Sequence, residues 1–320
     1  MYISKISIEQ INNYEKLAQE YGTIFNTYDW LKLFENIELY GIYDKGNNLI
    51  GGFHIYKQKK IGFSIYRNAP FTPHIGPFLK IDAQNYSNVI SKYREALLLM
   101  ADFLDNIKYS IISISLDKNI IDALPFIWKK FKVVPGYTYI LDFDRSLDDI
   151  YKNITAERRN DIKKGVKDEL IVEKTNDYNI VKSLVMKTFL RQKKEINKDI
   201  IDKILFNFAN SNNSFAFATF KNKKPISAVF CVYDKQTSYY LLGGYDVEDK
   251  HHGAGPLAIW ESIKYAKEIG LKFFDFEGSM VPQIEKYFRG FGGKLTPYYR
   301  INKAKLHIEI LLKFFKRELF

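Results

Sequence analysis

Residues 257–301 read LAIWESIKYAKEIGLKFFDFEGSMVPQIEKYFRGFGGKLTPYYRI, and this stretch changes its hydrophobic period part-way along. Its first part has an apolar stripe at helical spacing, with Ile259 and Ile263 one turn apart. Pro256 suits the first turn of such a helix and Gly270 the position just past its end. The next residues, LKFFDFEG, alternate in polarity as a strand does. The pattern predicts a helix that packs on a sheet, as in an α/β fold.

Two other segments have the pattern of β-hairpins. Residues 39–56 (LYGIYDKGNNLIGGFHIY) surround a turn at 44–48, and residues 215–233 (FAFATFKNKKPISAVFCVY) have the same form. The two hairpins superpose without a gap, so that Tyr43 falls on Phe220. Each hairpin then leads into a strand, a helix and another strand. The repetition predicts an internal duplication into two α/β units.

The segment between the two halves sets the expected domain limits. After the strand TYILDFD, an Arg- and Lys-rich helix is predicted from Ser146, a candidate N-cap, to about Lys167. We therefore expect one unit at 1–145, a second at 146–300 that begins with this linker helix, and a C-terminal helix at 301–320.

The C-terminal helix is basic and amphipathic. Its apolar stripe consists of Leu306, Ile310, Leu311 and Phe314. A helix of this kind can lie on an anionic membrane or pack on the protein body. Because the stripe is continuous, we expect it to pack back on the first unit.

A glycine-containing turn precedes the helix at Pro256. It consists of Lys250, His251, His252, Gly253, Ala254 and Gly255. Glycines at a strand-to-helix turn let phosphate oxygens approach backbone N–H groups, and the dipole of the helix favours negative charge there. The turn is a candidate pyrophosphate site, with a plain capping turn as the alternative.

These segments resemble known acyltransferases. The turn is similar to the R/Q-x-x-G-x-G/A signature with which GNAT acetyltransferases hold the pyrophosphate of coenzyme A, with Lys250 in the first position. The stretch after it resembles the FemAB family, whose members have a tryptophan-containing helix, then AK-x-x-G, DF-x-G and a GFGG-like turn. Here these features are Trp260, 266–270, 275–278 and 290–293.

Upstream segments extend the resemblance to about residues 20–300. Residues 25–30, 74–77 and 158–164 resemble the family's aromatic segment, RGP turn and R-x-x-I-K-K helix. The resemblance implies an α/β fold with mixed sheets, built of two tandem GNAT-like units with a cleft between them. No long helical arm interrupts the chain, which fits the cellulose-biosynthesis-type acetyltransferases better than the tRNA-using members.

The implied function is transfer of an acyl group from acyl-CoA, such as acetyl-CoA, to an amine or hydroxyl of a polysaccharide or cell-envelope precursor. The FemAB likeness also allows aminoacyl-tRNA as the donor, in peptidoglycan synthesis. A rival from another class is a non-catalytic protein that binds an anionic ligand on the same scaffold.

Acyl transfer to an amine needs a base, a stabilised oxyanion and a proton for the leaving group. Asp275 and Glu277 share one face of the predicted strand, where either could be the base; a capping or ion-pairing carboxylate is the alternative. Tyr287 lies near the position where GNAT enzymes place a tyrosine that protonates the departing thiol, although packing is the default for a tyrosine. Arg289 stands where the family often has a charge-stabilising lysine.

Three basic residues are candidates for binding the acceptor. Arg191 matches the family arginine that contacts a phosphate or carboxylate, for which guanidinium geometry is suited. Arg159 and Lys163 lie one turn apart on the linker helix, where they form a basic ridge with Arg158 and Lys164. Ordinary solvated charge is the alternative for all three.

The net charge of +11 favours an anionic partner, such as a nucleotide, a lipid phosphate, tRNA or a membrane surface. The single cysteine, Cys231, lies in an apolar run and should be buried, and the scattered histidines predict no metal. No window of eighteen apolar residues occurs in the sequence. We expect a cytoplasmic protein, with peripheral contact to the inner membrane face as a further expectation.

Overall fold

A computed structural model describes residues 1–60, 62–192, 197–278 and 280–320. The described chain divides into two compact units. Unit 1 contains Met1–Gly136 and Pro297–Phe320, and unit 2 contains Tyr137–Thr296.

The first part of the chain forms most of the strands and helices of unit 1. In chain order these are β1 (Tyr2–Lys5), α1 (Ile11–Tyr21), α2 (Tyr28–Leu31), β2 (Ile37–Tyr43), β3 (Leu49–Lys60), β4 (Phe63–Arg67), β5 (Phe78–Leu79), α3 (Tyr86–Asn106), β6 (Ile111–Ser115) and α4 (Leu124–Trp128). The chain then enters β7 (Lys132–Asp142) and passes into unit 2 within it. Short 3-10 turns stand at Ile8–Gln10 and Ile24–Asn26.

Unit 2 continues with α5 and ends within β13. Its elements are α5 (Leu147–Asn153), α6 (Ala156–Lys167), β8 (Ile171–Lys174), α7 (Tyr178–Arg191), α8 (Lys198–Asp202), a π-helical turn (Lys203–Phe208), β9 (Ser214–Lys221), β10 (Lys224–Tyr233), β11 (Thr237–Tyr245), α9 (Ala254–Glu268), β12 (Phe273–Asp275) and α10 (Pro282–Arg289). The chain returns to unit 1 through β13 (Lys294–Ala304) and α11 (Leu306–Phe315).

The two units have the same strand order, which confirms the predicted tandem α/β fold. Unit 1 has the order β1-β2-β3-β4-β6-β13, with β5 on β3, and unit 2 has β8-β9-β10-β11-β12-β7. In each unit the first four strands are antiparallel neighbours, and the fourth and fifth are parallel. A helix connects the parallel pair, as such a connection requires: α3 in unit 1 and α9 in unit 2.

Both predicted hairpins form, but their registers differ. Tyr40 pairs with Phe53 in the first hairpin, whereas Phe217 pairs with Val229 in the second. The gapless sequence match would have aligned Phe53 with Phe230. The difference arises because the second hairpin has a two-residue turn and an irregular register after Pro225. The duplication is therefore shown by the strand order rather than by that alignment.

The last strand of each unit comes from the other half of the chain. In unit 1, β13 pairs with β6, with Ile301 opposite Ile114. In unit 2, β7 pairs with β12, with Leu141 opposite Phe274. The units consequently divide at 136/137 and 296/297, whereas the sequence suggested limits at 145 and 300.

Two local predictions are confirmed by the packing of unit 2. Ile259 and Ile263 are buried on α9, and Gly270 follows that helix with a φ of 84°. Cys231 is fully buried on β10, and burial raises the pKa of its thiol. A thiol in this state is a packing group rather than a nucleophile.

The C-terminal helix differs from the prediction in its orientation. α11 packs on unit 1 through Ile308 and Leu312, which lie one turn apart. The predicted stripe faces outward instead, with exposed side chains at Leu306, Ile310, Leu311 and Phe314. Because the helix is apolar around most of its circumference, the sequence alone did not distinguish the buried face from the exposed one.

Candidate active site

The site lies where two parallel strands of unit 2 part. β11 continues to Tyr245, but β12 pairs with it only along Thr237–Tyr239 and ends at Asp275. Past Tyr239, the described residues leave this edge of β11 without a strand partner. A cavity of about 480 Å³ lies beside the released edge.

The cavity is lined by four helices, two strands and the turn before α9. The lining residues are Glu157, Arg158, Asp161, Thr188, Ser227, Ala228, Val229, Tyr240, Gly243, Gly244, Tyr245, Lys250, His251, His252, Gly255, Pro256, Ile259, Gln283, Ile284, Tyr287 and Phe288. Apolar and polar side chains line the cavity together, as is typical of small-molecule sites.

Glycines leave room for two tyrosine hydroxyls in the cavity. A Cβ at Gly243 would lie 1.7 Å from the Oη of Tyr240, and one at Gly255 would lie 3.0 Å from the Oη of Tyr287. Any larger residue at Gly243 would therefore displace Tyr240. These two glycines set the shape of the cavity beside the hydroxyls.

Tyr287 is a protonated phenol under ordinary conditions. Burial raises the pKa of Tyr287 well above its usual 10, and the nearby Arg158 opposes that shift without cancelling it. The Arg158 guanidinium carbon lies 5.0 Å from the centroid of the Tyr287 ring. A neutral phenol facing a cavity can donate a proton to a leaving group.

Arg158 is held by two carboxylates on its own helix. Its Nη1 lies 2.7 Å from Oδ2 of Asp161, and its Nη2 contacts Glu157. The side chain is only 13% exposed. A Cβ at Gly290 would lie 2.7 Å from Cγ of Arg158, so the first glycine of the GFGG turn leaves space for the arginine. Two motifs that are far apart in sequence therefore pack together here.

The comparisons with known proteins agree with this geometry. Residues 191–289 match the family model of the acetyltransferase (GNAT) domain. These residues, less than a third of the chain, are similar to that domain family. A search of the curated proteins returns no significant match.

Solved structures with low sequence identity share the whole fold. The structure of FemX has a TM-score of 0.66 at 12% identity, over 98% of this chain and 99% of that one. The C-terminal domain of a putative lysylphosphatidylglycerol synthetase from Agrobacterium fabrum has a TM-score of 0.58 at 9% identity, over 95% of both chains. A tandem GNAT protein from the clavulanic acid biosynthesis pathway has a TM-score of 0.51 at 11% identity, over 94% and 97%. The chain thus has the tandem GNAT fold.

Hydrogen bonds within the predicted pyrophosphate turn already occupy part of its backbone N–H groups. The Gly253 N–H donates to Nδ1 of His251 over 3.0 Å, and the Ala254 N–H donates to the His251 carbonyl over 3.1 Å. Nε2 of His251 lies 2.9 Å from Oδ2 of Asp168. Hydrogen bonds from Lys164 and His251 lower the pKa of Asp168 to about 2, so its carboxylate is charged at neutral pH.

The two glycines of this turn have different surroundings. A Cβ at Gly253 would lie 2.4 Å from the Asp161 carbonyl oxygen and 2.6 Å from the Gly165 nitrogen. Close packing against α6 therefore requires Gly253. Gly255 faces the cavity, and within the described chain its N–H has no backbone partner. Lys250, His251 and His252 also line the cavity.

The two predicted carboxylates of the DFEG segment lie outside the lining of this cavity. Asp275 is 3% exposed, and its Oδ1 accepts hydrogen bonds from the Thr138 hydroxyl (2.6 Å) and the Glu277 N–H (2.9 Å). Glu277 has a φ of 53°, and a Cβ at Gly278 would lie 2.2 Å from the Tyr137 carbonyl oxygen. Asp275 thus holds the turn in place, which is the alternative that the sequence left open.

The two predicted arginines, Arg191 and Arg289, have different surroundings. The Arg191 guanidinium stacks on Tyr245, a cavity residue, with 4.2 Å to the ring centroid. Arg289 instead donates to Glu285 over 2.9 Å on the exposed side of α10. Neither Arg191 nor Arg289 is itself among the lining residues, but Arg191 contacts one of them.

Of the basic ridge on α6, Arg158 lines the cavity, whereas Arg159 and Lys163 lie outside its lining. Nη1 of Arg159 donates to the carbonyls of Lys152 and Ile154, which caps the end of α5. Lys163 is exposed and lies beside Trp260 in a separate surface depression. The role of both residues in acceptor binding stays a prediction, and their positions give it no support.

Asp161 is a cavity residue that was not predicted from the sequence, and Arg158 was predicted only as a member of the basic ridge. No pattern in the sequence alone separates them from the other charged residues of α6, but the structure shows why they face the cavity. Ile162 and Gly165 are buried, and residues one turn before them on a helix share their face. Those residues are Arg158 and Asp161, whereas Arg159 and Lys163 lie on the next face. No group of three or more His, Cys, Asp or Glu side chains able to hold a metal occurs within the described ranges.

Proposed function

We propose that the chain is an N-acyltransferase that moves an acyl group from a thioester, acyl-CoA, to an amine of a polysaccharide or cell-envelope precursor. The observation that carries the proposal is the protonated Tyr287 in the cavity where β11 and β12 part. The GNAT domain match supports acyl transfer as the reaction class. A hydroxyl acceptor would use the same geometry.

The donor would lie along β11. Past Tyr239 the strand edge offers backbone groups to the amides of an extended thioester arm. The Gly255 N–H, Lys250 and His252 are suited to the anionic end of the donor. The acyl group then enters the cavity toward Tyr287.

The reaction proceeds by direct attack. The acceptor nitrogen forms a bond to the thioester carbonyl carbon and loses one proton to a carboxylate of the cavity or to water. The tetrahedral intermediate collapses by breaking its carbon–sulfur bond. Tyr287 gives its proton to the departing thiolate and recovers one from solvent. Arg158, 5.0 Å from the Tyr287 ring centroid, supplies positive charge near the developing anion.

One observation favours a second donor. Two N–H groups of the predicted pyrophosphate turn, those of Gly253 and Ala254, already bond to His251. A donor without a pyrophosphate, such as the aminoacyl ester of a tRNA, does not need these groups. The second candidate is thus an aminoacyl-tRNA-dependent transferase with the same acid, Tyr287.

The experiment that separates the two candidates is a donor assay on the purified chain. Acetyl-CoA is titrated by calorimetry, and acyl transfer to an amine acceptor is measured with and without ribonuclease. We expect heat from acetyl-CoA binding and activity that resists ribonuclease. Activity that disappears with ribonuclease, with no acetyl-CoA binding and a steep loss of affinity in salt, would support the tRNA donor instead. Absence of transfer from either donor would contradict the enzyme assignment.

A further inference from the structure

α11 exposes a large apolar face on unit 1. The helix contacts the body through Ile308, with Leu312, Leu319 and Phe320 packed nearby. The other side of the helix has five large apolar side chains in solvent. Their exposed fractions are 76% for Leu306, 51% for Ile310, 59% for Leu311, 80% for Phe314 and 79% for Phe315. A contiguous apolar patch of this kind marks an interaction surface.

Basic side chains surround this face. The exposed cations of the segment are Lys305, Lys313, Lys316 and Arg317. The segment also has two acidic side chains, fewer than its cations: Glu309, which pairs with Lys313 over 2.9 Å, and the exposed Glu318. The patch is therefore apolar at its centre and positive around its rim.

A second exposed apolar set is tied to the same region. α4 exposes Leu124, Ile127 and Trp128. The chain just after α4 contacts both ends of the C-terminal segment: the Lys129 carbonyl accepts from Lys303, and Lys132 donates to the Arg317 carbonyl over 3.1 Å. These contacts tie the segment that follows α4 to the two ends of the C-terminal segment.

We propose that α11 docks on the surface of an anionic lipid bilayer. A bilayer interface offers an apolar layer for Phe314 and Phe315 and lipid phosphates for the cations of the rim. The excess of positive charge favours an anionic bilayer over an apolar protein groove, because such a groove would offer no anions to Lys305, Lys316 and Arg317. No helix among the described residues is long and apolar enough to cross a membrane, so the contact lies in the plane of the interface. The inference rests on unit 1 and is independent of the proposed function.

The test measures binding of the full chain to vesicles by flotation. Vesicles of phosphatidylcholine with about 30% phosphatidylglycerol are compared with pure phosphatidylcholine, at 0.1 and 0.5 M salt. We expect binding to the anionic vesicles that weakens at least about ten-fold in high salt or without phosphatidylglycerol. The double variant Phe314→Glu, Phe315→Glu should bind at least about ten-fold more weakly while its melting temperature stays unchanged.

A matched control uses another exposed apolar residue of unit 1. Ile8 is 84% exposed and follows β1, the strand at the other end of the unit 1 order from β13. Ile8→Glu should leave vesicle binding intact. The proposal is overturned if the wild type does not float with anionic vesicles, if the Phe314/Phe315 variant floats equally well, or if that variant converts a dimer to a monomer in light scattering.

Discussion

Two glycines in one turn of unit 2 are required for different reasons. Gly253 has no space for a side chain because the backbone of α6 lies 2.4 Å from its Cβ position. Gly255 faces open cavity, where the first atom met is the Tyr287 hydroxyl at 3.0 Å. The sequence motif treats both residues as phosphate-binding glycines. In the structure, packing against α6 requires Gly253, and only Gly255 faces the cavity.

The variants Gly253→Ala and Gly255→Ala should consequently separate stability from donor binding. Gly253→Ala forces α6 away from the turn, and we expect the free energy of unfolding to fall by about 1–3 kcal/mol. Gly255→Ala needs only a shift of a side chain, so it should keep its stability and weaken acetyl-CoA binding. Urea unfolding and calorimetry on both variants check this. Equal loss of stability in the two variants would contradict the distinction.

Replacement of Tyr287 tests the proposed acid. Tyr287→Phe keeps the ring and removes the proton, so kcat should fall by about 10²–10⁴-fold with little change in donor KM. Because the pKa of Tyr287 is raised above 10, the wild-type rate should not lose this acid below about pH 10. Tyr151, which packs on Trp260, provides the control: Tyr151→Phe should retain kcat. An unchanged kcat in Tyr287→Phe would remove the tyrosine from the mechanism.

At the scale of elements, an ion pair between a buried carboxylate and a half-exposed lysine joins the end of β11 to α7. Asp246 is 2% exposed, and its Oδ2 lies 2.7 Å from Nζ of Lys187. Its Oδ1 accepts from the Glu248 N–H, at the start of the loop that leads to the Lys250 turn. The hydrogen bond from Lys187 lowers the pKa of Asp246 below its ordinary 3.8.

This pair should make part of the stability depend on pH. A carboxyl whose folded pKa is lowered contributes fully above its unfolded pKa of about 4, and the contribution is lost as pH falls through the folded value. Asp246→Asn should therefore reduce the free energy of unfolding by about 1–3 kcal/mol at pH 7, with a smaller difference at pH 3. Urea unfolding at the two pH values measures it. Asp29→Asn, at an exposed pair with Lys32, should change stability by less than about 1 kcal/mol. A pH-independent effect of Asp246→Asn would contradict the prediction.

The sequence patterns predicted the helices and strands more reliably than they predicted which face of each helix is buried. The stripe of α9 and both hairpins were evident because each has one clear apolar periodicity. On α6, the two adjacent arginines are chemically equal, and only the burial of Ile162 shows that Arg158 faces inward. On α11, apolar residues occupy several faces, so the choice of buried face depends on what the unit offers to pack against. Tertiary packing decides such cases, and local periodicity carries no information about it.

At the scale of the whole molecule, the tandem arrangement was predictable and the exchange of last strands was not. Repeated hairpins and repeated strand–helix–strand segments indicate duplication. The sequence does not predict the partner of an isolated strand. No pattern in β7 indicates that it pairs with β12, and none in β13 indicates that it pairs with β6. Their pairing sets the limits of the units, and only the structure reveals it.

The exchange of last strands should make the folding of unit 1 depend on residues 297–320. Residues 1–136 lack β13, and with it Ile301, which is fully buried in unit 1. We expect this fragment to be insoluble or unfolded, and to become soluble when residues 297–320 are joined to it by a flexible linker. Circular dichroism and gel filtration of the two fragments check this. A folded, monomeric 1–136 would show that β13 is dispensable.

The late arrival of β13 also determines the order in which the molecule can fold during synthesis. Ser113 and Asn302, which are hydrogen-bonded across β6 and β13, lie 189 residues apart in sequence. At about 5–20 residues per second, roughly 10–40 s separate their emergence from the ribosome. During that interval β6 has an open edge, the kind of surface on which nascent chains associate. Unit 2 meets no such delay, because β7 is translated before the rest of it. The half of the molecule that is translated first is therefore the last to complete its sheet.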